Sequence, residues 1–202
     1  FGFTPFGDLA TGLYPDQRTN RSLLHQRGPF RRVLNLFAYT GAFSVAARAD
    51  GAEEVVDVDL SRPALERSRD NHRLNGLAPE GLRVVHGDAV RYCAAAADGS
   101  FDLIVVDPPT SARGGEGWSA RKGYGPLLDQ VLRVLAPGGT VLACLNQRSA
   151  PGARLRRLFD ERAAAAGRTP TELLSAPPGP DYPVLRGFDE SRSFQGILAT
   201  FD

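Results

Sequence analysis

The chain has 202 residues, of which 42% are hydrophobic and 23% charged, with a formal net charge of +1. This is ordinary globular usage and enough length for one domain with a substantial core, which excludes a disordered chain and a small disulfide scaffold. No apolar run approaches the length that spans a bilayer, so we expect no membrane partner and a cytoplasmic location. The net charge neither requires nor excludes nucleic acid.

The first 28 residues predict a short extension of a single domain that covers residues 1–202. Prolines and glycines punctuate residues 1–20, which favours a small β-hairpin, and a helix is expected over residues 19–26. The polar cluster Asp16, Gln17 and Arg18 comes just before that helix. These side chains either cap the helix or face a binding pocket, and composition alone favours the cap.

The segment from Arg31 to Ser61 predicts a strand, a tight turn, a helix over residues 42–49 and a second strand that ends at Asp59. This is the first half of a doubly wound sheet. In such sheets the ligand lies at the carboxyl ends of the strands, and an acid about 20 residues after the glycine turn binds ribose hydroxyls. Asp59 has that position relative to Gly41.

The turn itself departs from the dinucleotide pattern, since it has only Gly41 where three glycines would allow a pyrophosphate to approach. Bulky Tyr39 and Phe43 flank the glycine, and no basic residue is nearby. A nucleoside without phosphate, such as S-adenosylmethionine, suits this turn better. The alternative is a βαβ unit whose glycine only permits the turn.

Two further strand ends carry polar residues. A helix is expected to begin after the N-cap Ser61, with Leu65 and Leu74 facing the core. The strand at residues 82–85 follows this helix and leads to Asp88. Asp88 could accept a hydrogen bond from an adenine amino group or cap the helix over residues 89–97. The buried strand at residues 101–106 ends in Asp107, Pro108 and Pro109, which predict a rigid lip beside the ligand.

The second half of the chain contains a glycine-rich loop at residues 111–123 with one aromatic and three basic residues, namely Arg113, Trp118, Arg121 and Lys122. These side chains suit a substrate with bases and phosphates, since the aromatic ring can stack on a base and the basic residues can bind phosphates. The alternative is that the loop is a crossover connection whose tryptophan packs on the core. Helices are expected over residues 124–135 and 153–166, strands over 140–145 and 192–201, and a loop over 173–183. Asn146 and Arg148 follow the first of these strands. Cys93 and Cys144 lie in apolar surroundings, which favours buried reduced thiols.

These motifs together resemble the class I methyltransferases of 23S ribosomal RNA, in the family with the cytosine-C5 enzyme RlmI and the guanine-N7 enzyme RlmK. The resemblance rests on six segments, at residues 11–21, 33–47, 58–76, 87–89, 107–110 and 137–142. It implies a Rossmann-like α/β fold, with a seven-stranded, mostly parallel sheet, helices on both faces and an antiparallel last strand. It also favours a place for Asp16, Gln17 and Arg18 in the active-site wall rather than a role as helix cap.

The resemblance implies S-adenosylmethionine as cofactor, 23S ribosomal RNA as partner and no metal, and it leaves a homodimer open. It places the methionine part against residues 39–43, the ribose on Asp59 and the adenine on Asp88 and Ala89. The residues that it predicts to bind the cofactor are Gln17, Arg18, Asn35, Phe37, Tyr39, Thr40, Gly41, Ala42, Phe43, Asp59, Leu60, Ser61, Asp88, Ala89 and Asp107. The predicted catalytic set is Asp107, Pro108, Pro109 and Asn146, and the predicted substrate-binding set is Arg113, Trp118, Arg121, Lys122 and Arg148.

The acceptor base depends on Asn146. A C5 methyltransferase needs a cysteine thiolate that adds to C6 of cytosine, and the resemblance places that cysteine at position 146. Asn146 and the following residues instead resemble the guanine-N7 branch, as does Thr110. The N7 atom has its own lone pair and needs only in-line positioning, which Asn146 and Arg148 could provide. Three alternatives remain: methylation of a small molecule, a non-catalytic nucleotide-binding module, and a nicotinamide-dependent oxidoreductase, against which the missing glycines argue.

Overall fold

The structure is a computed structural model that describes residues 1–2, 12–110, 118–146, 153–182 and 194–202. A 3₁₀ turn at Pro15–Gln17 leads into the first helix. The helices are α1 Arg18–Arg27, α2 Ala42–Ala49, α3 Arg62–Leu74, α4 Ala89–Ala95, α5 Ala120–Val134 and α6 Arg154–Ala165. The strands are β1 Arg32–Leu36, β2 Glu54–Asp59, β3 Leu82–His86, β4 Phe101–Val106, β5 Leu135–Asn146, β6 Pro170–Ser175 and β7 Phe194–Phe201.

Within the described residues the strands form one sheet in the order β3-β2-β1-β4-β5-β7-β6. The first five are parallel, and β7 runs antiparallel to both β5 and β6. This confirms the expected seven-stranded, mostly parallel α/β sheet with an antiparallel last strand. The strand order reverses between β1 and β4, and at such a point the loops diverge and leave a crevice at the carboxyl ends.

The core has two layers because alternate residues of each strand point to opposite faces of the sheet. On one face, Leu34 and Leu36 pack in a cluster with residues of α5 and α6 such as Leu127 and Phe159. On the other face, Val33 packs in a cluster with residues of α1 and α2. The sheet is therefore covered on both sides, which explains the near-continuous apolar runs of its central strands.

Several element boundaries differ from those expected. Helix α5 begins at Ala120 rather than near residue 124. The later start was expected because Gly123 and Gly125 lower helix propensity. In the structure these glycines allow close packing against Trp118 and Arg162. Strand β6 was missed, since residues 173–183 were expected to form a loop. It is an edge strand that pairs only with β7 among the described strands, and Pro170 is tolerated at its first position.

The prediction that Leu74 faces the core is wrong. Leu65 is buried at 2% exposure, whereas Leu74 is 67% exposed. The two residues are nine positions apart, which at about 100° per residue places them on opposite sides of α3. The predicted N-terminal hairpin falls largely on residues 3–11, outside the described residues. None of the described helices combines the length and the apolar character that a membrane span requires.

Candidate functional site

A cleft of about 280 Å³ lies at the carboxyl ends of the strands, where the strand order reverses. We call it the main cleft. The described residues that line it come from the segment before α1, the ends of β1 to β5, the position of Trp118 just before α5, and the start of β7. They are Tyr14, Asp16, Phe37, Tyr39, Val58, Asp59, Leu60, Gly87, Asp88, Ala89, Asp107, Pro108, Pro109, Thr110, Trp118, Asn146 and Phe194.

A smaller side cavity of about 60 Å³ adjoins the main cleft. The two share Tyr14, Phe37, Tyr39 and Asp107 in their linings. The side cavity also brings together Gln17 and most of the predicted turn residues, which are Asn35, Thr40, Ala42 and Phe43. A ligand that is longer than the main cleft could therefore extend under the turn that follows β1.

The backbone of that turn is held in unusual conformations. Phe37 and Tyr39 have positive φ angles of 57° and 49°, and Gly41 has a φ of 73°. Positive φ is uncommon for residues with a side chain, and it persists where the surrounding structure fixes it, often at a ligand site. Here the Ala38 amide donates to the Val58 carbonyl at 3.1 Å, and the Gly41 amide donates to the Ala38 carbonyl at 2.9 Å.

A buried polar network beneath the turn supports it. The Asp57 side chain lies at 0% exposure and accepts hydrogen bonds from Asn35 Nδ2 at 2.9 Å and from the Ser44 and Ser68 hydroxyls. Burial raises the pKa of Asp57, while these hydrogen bonds act in the opposite direction. A Cβ atom at Gly41 would overlap Ser68 Oγ and come within 2.8 Å of Asp57 Oδ2. Only glycine allows the turn to rest on this network.

Two acids at the ends of β2 and β3 face the main cleft. Asp59 accepts hydrogen bonds from the Tyr39 amide at 2.9 Å and the Ser61 amide at 2.8 Å. Its carboxylate therefore ties the turn after β1 to the start of α3. Asp88 caps α4 by accepting from the Arg91 amide at 2.9 Å, and it also lines the cleft. The capping role is thus observed, and it leaves this side chain facing the ligand space.

A second pair of acids lies where the two cavities meet. Gln17 Nε2 donates to Asp107 Oδ2 at 2.8 Å, and Gln17 Oε1 accepts from Asn20 Nδ2 at 2.7 Å, so the carboxyl of Asp107 is held in place. Burial raises the pKa of Asp107 to about 7, and the nearby negative charge of Asp16 contributes to the rise. Burial also raises the pKa of Asp16, whose buried Oδ1 has no hydrogen-bond partner among the described residues.

The proline lip lies beside an aromatic wall. The Trp118 indole Nε1 donates to the Pro109 carbonyl at 2.9 Å, and its ring centroid is 4.9 Å from that of Phe37. The Thr110 hydroxyl donates to the Asn146 carbonyl at the end of β5 and so links the lip to that strand. The lip, Trp118 and Asn146 therefore surround one side of the main cleft, and Trp118 both packs on the core and faces the ligand space.

Some predicted site residues lie elsewhere. Arg18 forms an ion pair with Asp181 at 2.7 Å on the surface and lines neither cavity. Ser61 caps α3 instead of lining the cleft. Arg121 and Lys122 line a separate depression between α5 and α6. Arg113 and Arg148 fall outside the described residues.

Sequence reasoning missed several lining residues of the main cleft. The resemblance placed Asp16 in the active-site wall, but the predicted cofactor-binding set left it out, although it contributes a carboxylate to the cleft. The Tyr14 ring lies 5.2 Å from that of Tyr39, and the segment at residues 11–21 could have indicated it. Phe194 reaches the cleft because it pairs with Asn146 across β5 and β7. Only that strand register, which no local pattern predicts, places it there.

Cys144 lies below the cleft floor. It is 0% exposed and is absent from the lining of either cavity. Burial raises the pKa of its thiol well above the ordinary value, and the Tyr124 hydroxyl donates to its carbonyl at 2.8 Å. A thiolate is the reactive form of cysteine, so this thiol has the character of a core residue, as expected.

Comparison with known proteins places these features in context. A family model described as S-adenosylmethionine-dependent methyltransferase matches residues 6–186. Ribosomal RNA large subunit methyltransferase K/L of Aeromonas hydrophila is 40% identical over 143 residues, which are 69% of this chain and 20% of that protein. Ribosomal RNA large subunit methyltransferase I of Aeromonas salmonicida is 32% identical over 191 residues, which are 93% of this chain and 48% of that protein. The chain thus spans between a fifth and about half of the length of these relatives.

Solved structures give the same result. The crystal structure of SMU.776, complexed with SAH, has a TM-score of 0.84 and 28% sequence identity, and the match covers 96% of this chain and 51% of that one. A SAM-dependent methyltransferase from Agrobacterium tumefaciens has a TM-score of 0.76 and 26% identity, with 95% and 63% covered. The likeness therefore includes nearly all of this chain and about half to two thirds of these solved chains.

Proposed function

Because the chain belongs to the family of S-adenosylmethionine-dependent methyltransferases, we propose that it transfers a methyl group to a nucleobase of ribosomal RNA, at a ring nitrogen of guanine. Relatives named as ribosomal RNA large subunit methyltransferases support the class of substrate. The choice of a ring nitrogen is supported by the absence of a thiol among the described residues that line the main cleft.

The single observation that carries the cofactor assignment is the charge of the main cleft. Its described lining contains four carboxylates, from Asp16, Asp59, Asp88 and Asp107, and no lysine, arginine or histidine. Such a lining opposes a pyrophosphate and favours a ligand with positive charges. S-adenosylmethionine carries a sulfonium and an ammonium, which together with its one carboxylate leave a net positive charge, and it has no phosphate. The buried Oδ1 of Asp16, which has no hydrogen-bond partner among the described residues, also suits this cofactor, since the ammonium can donate a hydrogen bond to it.

We assign the parts of the cofactor to the two cavities accordingly. Asp59 would accept from the ribose hydroxyls, and Asp88 from the adenine amino group. The methionine part would extend past Tyr39 into the side cavity, with its ammonium near Asp16 and Asp107. When bound, the cofactor supplies an electrophilic methyl group on a sulfonium sulfur.

The chain's own residues would then position the acceptor. A base that enters beside the lip meets the Trp118 ring, and an aromatic side chain is a general stacking surface for a base. Asn146, on the same side of the main cleft, offers an amide that can donate and accept at a base edge. A lone pair on nitrogen needs in-line alignment and exclusion of water rather than a covalent catalyst. The rigid proline lip, held by its hydrogen bond to Trp118, suits that role.

This proposal is tested by methyl transfer to protein-free 23S ribosomal RNA, with a cofactor labelled in the methyl group. The RNA is digested afterwards, and the labelled nucleoside is identified by mass spectrometry. We expect the label in a guanosine methylated on a ring nitrogen. Label in 5-methylcytidine would overturn the assignment of the acceptor, and labelling of no nucleoside would overturn ribosomal RNA as the substrate.

Replacing Asp59 with alanine is expected to weaken binding of S-adenosylhomocysteine by at least about tenfold, because hydrogen bonds to a charged acceptor contribute roughly 1.5–3 kcal/mol. Isothermal titration calorimetry measures this change. Asp70→Ala is the matched control, since it removes an exposed acid that pairs only with Arg73 on α3 among the described residues. Equal affinity of Asp59→Ala and wild type would show that Asp59 does not bind the ribose.

Replacing Cys144 with alanine is expected to leave the rate of methyl transfer within about threefold of wild type, since the thiol is buried and lines neither cavity. Single-turnover transfer to the RNA is the measurement, with S-adenosylhomocysteine affinity as a check on folding. A loss of about a hundredfold or more with intact affinity would instead indicate covalent catalysis by this thiol.

A further inference from the structure

The charge of the main cleft is unsuited to binding the phosphates of an RNA backbone. A cleft whose described lining has four carboxylates and no cation can accept a neutral base, but it repels the phosphates on either side of that base. Phosphate contacts supply most of the affinity of proteins for nucleic acids. If the proposed function holds, the cationic side chains that bind the RNA phosphates must therefore lie outside the main cleft.

One described surface has the required charge. A depression of about 480 Å³ between α5 and α6 is lined by five basic residues, Arg121, Lys122, Arg154, Arg157 and Arg162. Its lining contains a single acid, Glu161. We call it the α5–α6 basic surface. It stands apart from a chain whose overall net charge is only +1.

The pairing of these charges differs from that on a solvated helix face. Arg162 pairs with Asp129 at 3.1 Å, and Arg157 lies 3.9 Å from Glu161. Arg121 and Lys122 have no ion-pair partner in the part of the chain that the structure describes. On α3, by contrast, two exposed arginines are matched within one turn, in the pairs of Arg69 with Glu66 and of Arg73 with Asp70.

Four of the five basic residues also occupy unfavourable places on their helices. Arg121 and Lys122 lie in the first turn of α5, and Arg154 and Arg157 in the first turn of α6; neither first turn contains an acid. The amino end of a helix has a partial positive charge, so cations there are destabilising and anions are stabilising. A phosphate bound at this surface would relieve both the repulsion among the side chains and that with the helix ends.

The surface also adjoins the main cleft. Trp118 lines the cleft, and Arg121 is only three residues further along, a span of at most about 10 Å. The Trp118 ring packs over Gly123, where an added Cβ would come within 2.7 Å of it. The first turn of α5 therefore lies directly behind the wall on which the base would stack.

We propose that the α5–α6 basic surface binds phosphates of the RNA strand that flanks the target base. The main cleft takes the uncharged base, and this surface takes the charged backbone next to it. The inference rests on the proposed function, because it assumes an RNA substrate. It assigns the contacts with the backbone to cations that lie outside the cofactor site.

The test neutralises three of these cations in one variant, Arg121→Gln/Lys122→Gln/Arg157→Gln. Binding of a fluorescently labelled single-stranded fragment of 23S ribosomal RNA is followed by anisotropy at several salt concentrations. Each lost phosphate contact lowers the salt slope by about 0.7 on single strands, so we expect a decrease of about 2. The affinity should fall by at least about tenfold, with unchanged affinity for S-adenosylhomocysteine.

The matched control neutralises three exposed arginines away from the cleft, in Arg31→Gln/Arg69→Gln/Arg73→Gln. These residues pair with Glu53, Glu66 and Asp70, and the change in net charge is the same. The control should keep the wild-type affinity for RNA within about twofold. If the first variant kept the wild-type RNA affinity and the wild-type salt slope, the proposed role of the α5–α6 basic surface would be overturned, even if the wild type methylates the RNA. Binding that depends on the surface without any methyl transfer would overturn the proposed activity alone.

Discussion

Replacing Gly41 with alanine is expected to lower the free energy of unfolding by about 3 kcal/mol and to abolish measurable binding of S-adenosylhomocysteine. Two costs add together. A residue with a side chain is strained at a φ of 73°. The added Cβ would also overlap Ser68 Oγ and crowd Asp57 Oδ2 in a network that is buried and already hydrogen-bonded. Overpacking of such a site costs about 1–3 kcal/mol.

Gly76→Ala is the matched control for this variant. Gly76 has a similar φ of 68°, but a Cβ there would meet no heavy atom of the described residues within 4 Å. It therefore isolates the backbone strain, and we expect a loss of about 1 kcal/mol with normal ligand binding. Urea unfolding of both variants gives the comparison. Equal losses for the two alanines would show that contact with the buried network does not matter at Gly41.

Replacing Asp107 with asparagine is expected to stabilise the protein at pH 8 while it weakens the binding of S-adenosylmethionine by at least about tenfold. The asparagine side chain could still accept the hydrogen bond that Gln17 donates to Asp107 at 2.8 Å. The substitution would remove a half-buried negative charge beside Asp16, which is costly in the free protein. The same change removes a charge that faces the cationic cofactor, so stability and binding should change in opposite directions.

The pH dependence of this gain has a definite sign. Because burial raises the pKa of Asp107 from 3.8 to about 7, the folded protein holds a proton there that the unfolded chain releases near pH 4. The contribution of Asp107 to wild-type stability therefore falls between about pH 4 and 7, by up to about 1.4 kcal/mol per pH unit, and is level above that range. The gain from asparagine grows over the same range. Water in the cleft screens part of it, so we expect about 1–3 kcal/mol at pH 8.

Urea unfolding at pH 5 and pH 8 measures this difference. Asp70→Asn serves as the control, since this exposed acid pairs with Arg73 and should show no comparable gain at the higher pH. A gain for Asp107→Asn that is the same at both pH values would contradict a raised pKa in the folded state.

The central part of the fold could be predicted because its signals are local. The apolar runs, the turn at Gly41 and the acid at the end of β2 are adjacent in sequence, and the structure brings Asp59, Asp88 and Asp107 to one cleft. The arrangement of the two halves of the sheet is less visible. Strand β6 has few apolar residues and depends on its pairing with β7, and Phe194 reaches the cleft only through that antiparallel register.

The errors among the site residues have the same origin. Asp16, Gln17 and Arg18 are consecutive, and sequence alone could not tell which of them face inward. In the structure Gln17 is buried at 3% exposure and holds Asp107, whereas Arg18 pairs with Asp181 on the outside. The direction of each side chain is set by the 3₁₀ turn at Pro15–Gln17 and the start of α1. A one-residue difference in where a helix begins decides such an assignment.

The four carboxylates of the main cleft also bear on turnover. Methyl transfer converts a positively charged sulfonium into a neutral thioether, so the spent cofactor carries one positive charge fewer than the fresh one. A cleft with four acids and no cation in its described lining attracts the two forms unequally. The loss of charge during the reaction therefore weakens the hold on the product. If the proposed methyl transfer takes place in this cleft, electrostatics therefore favours exchange of spent for fresh cofactor.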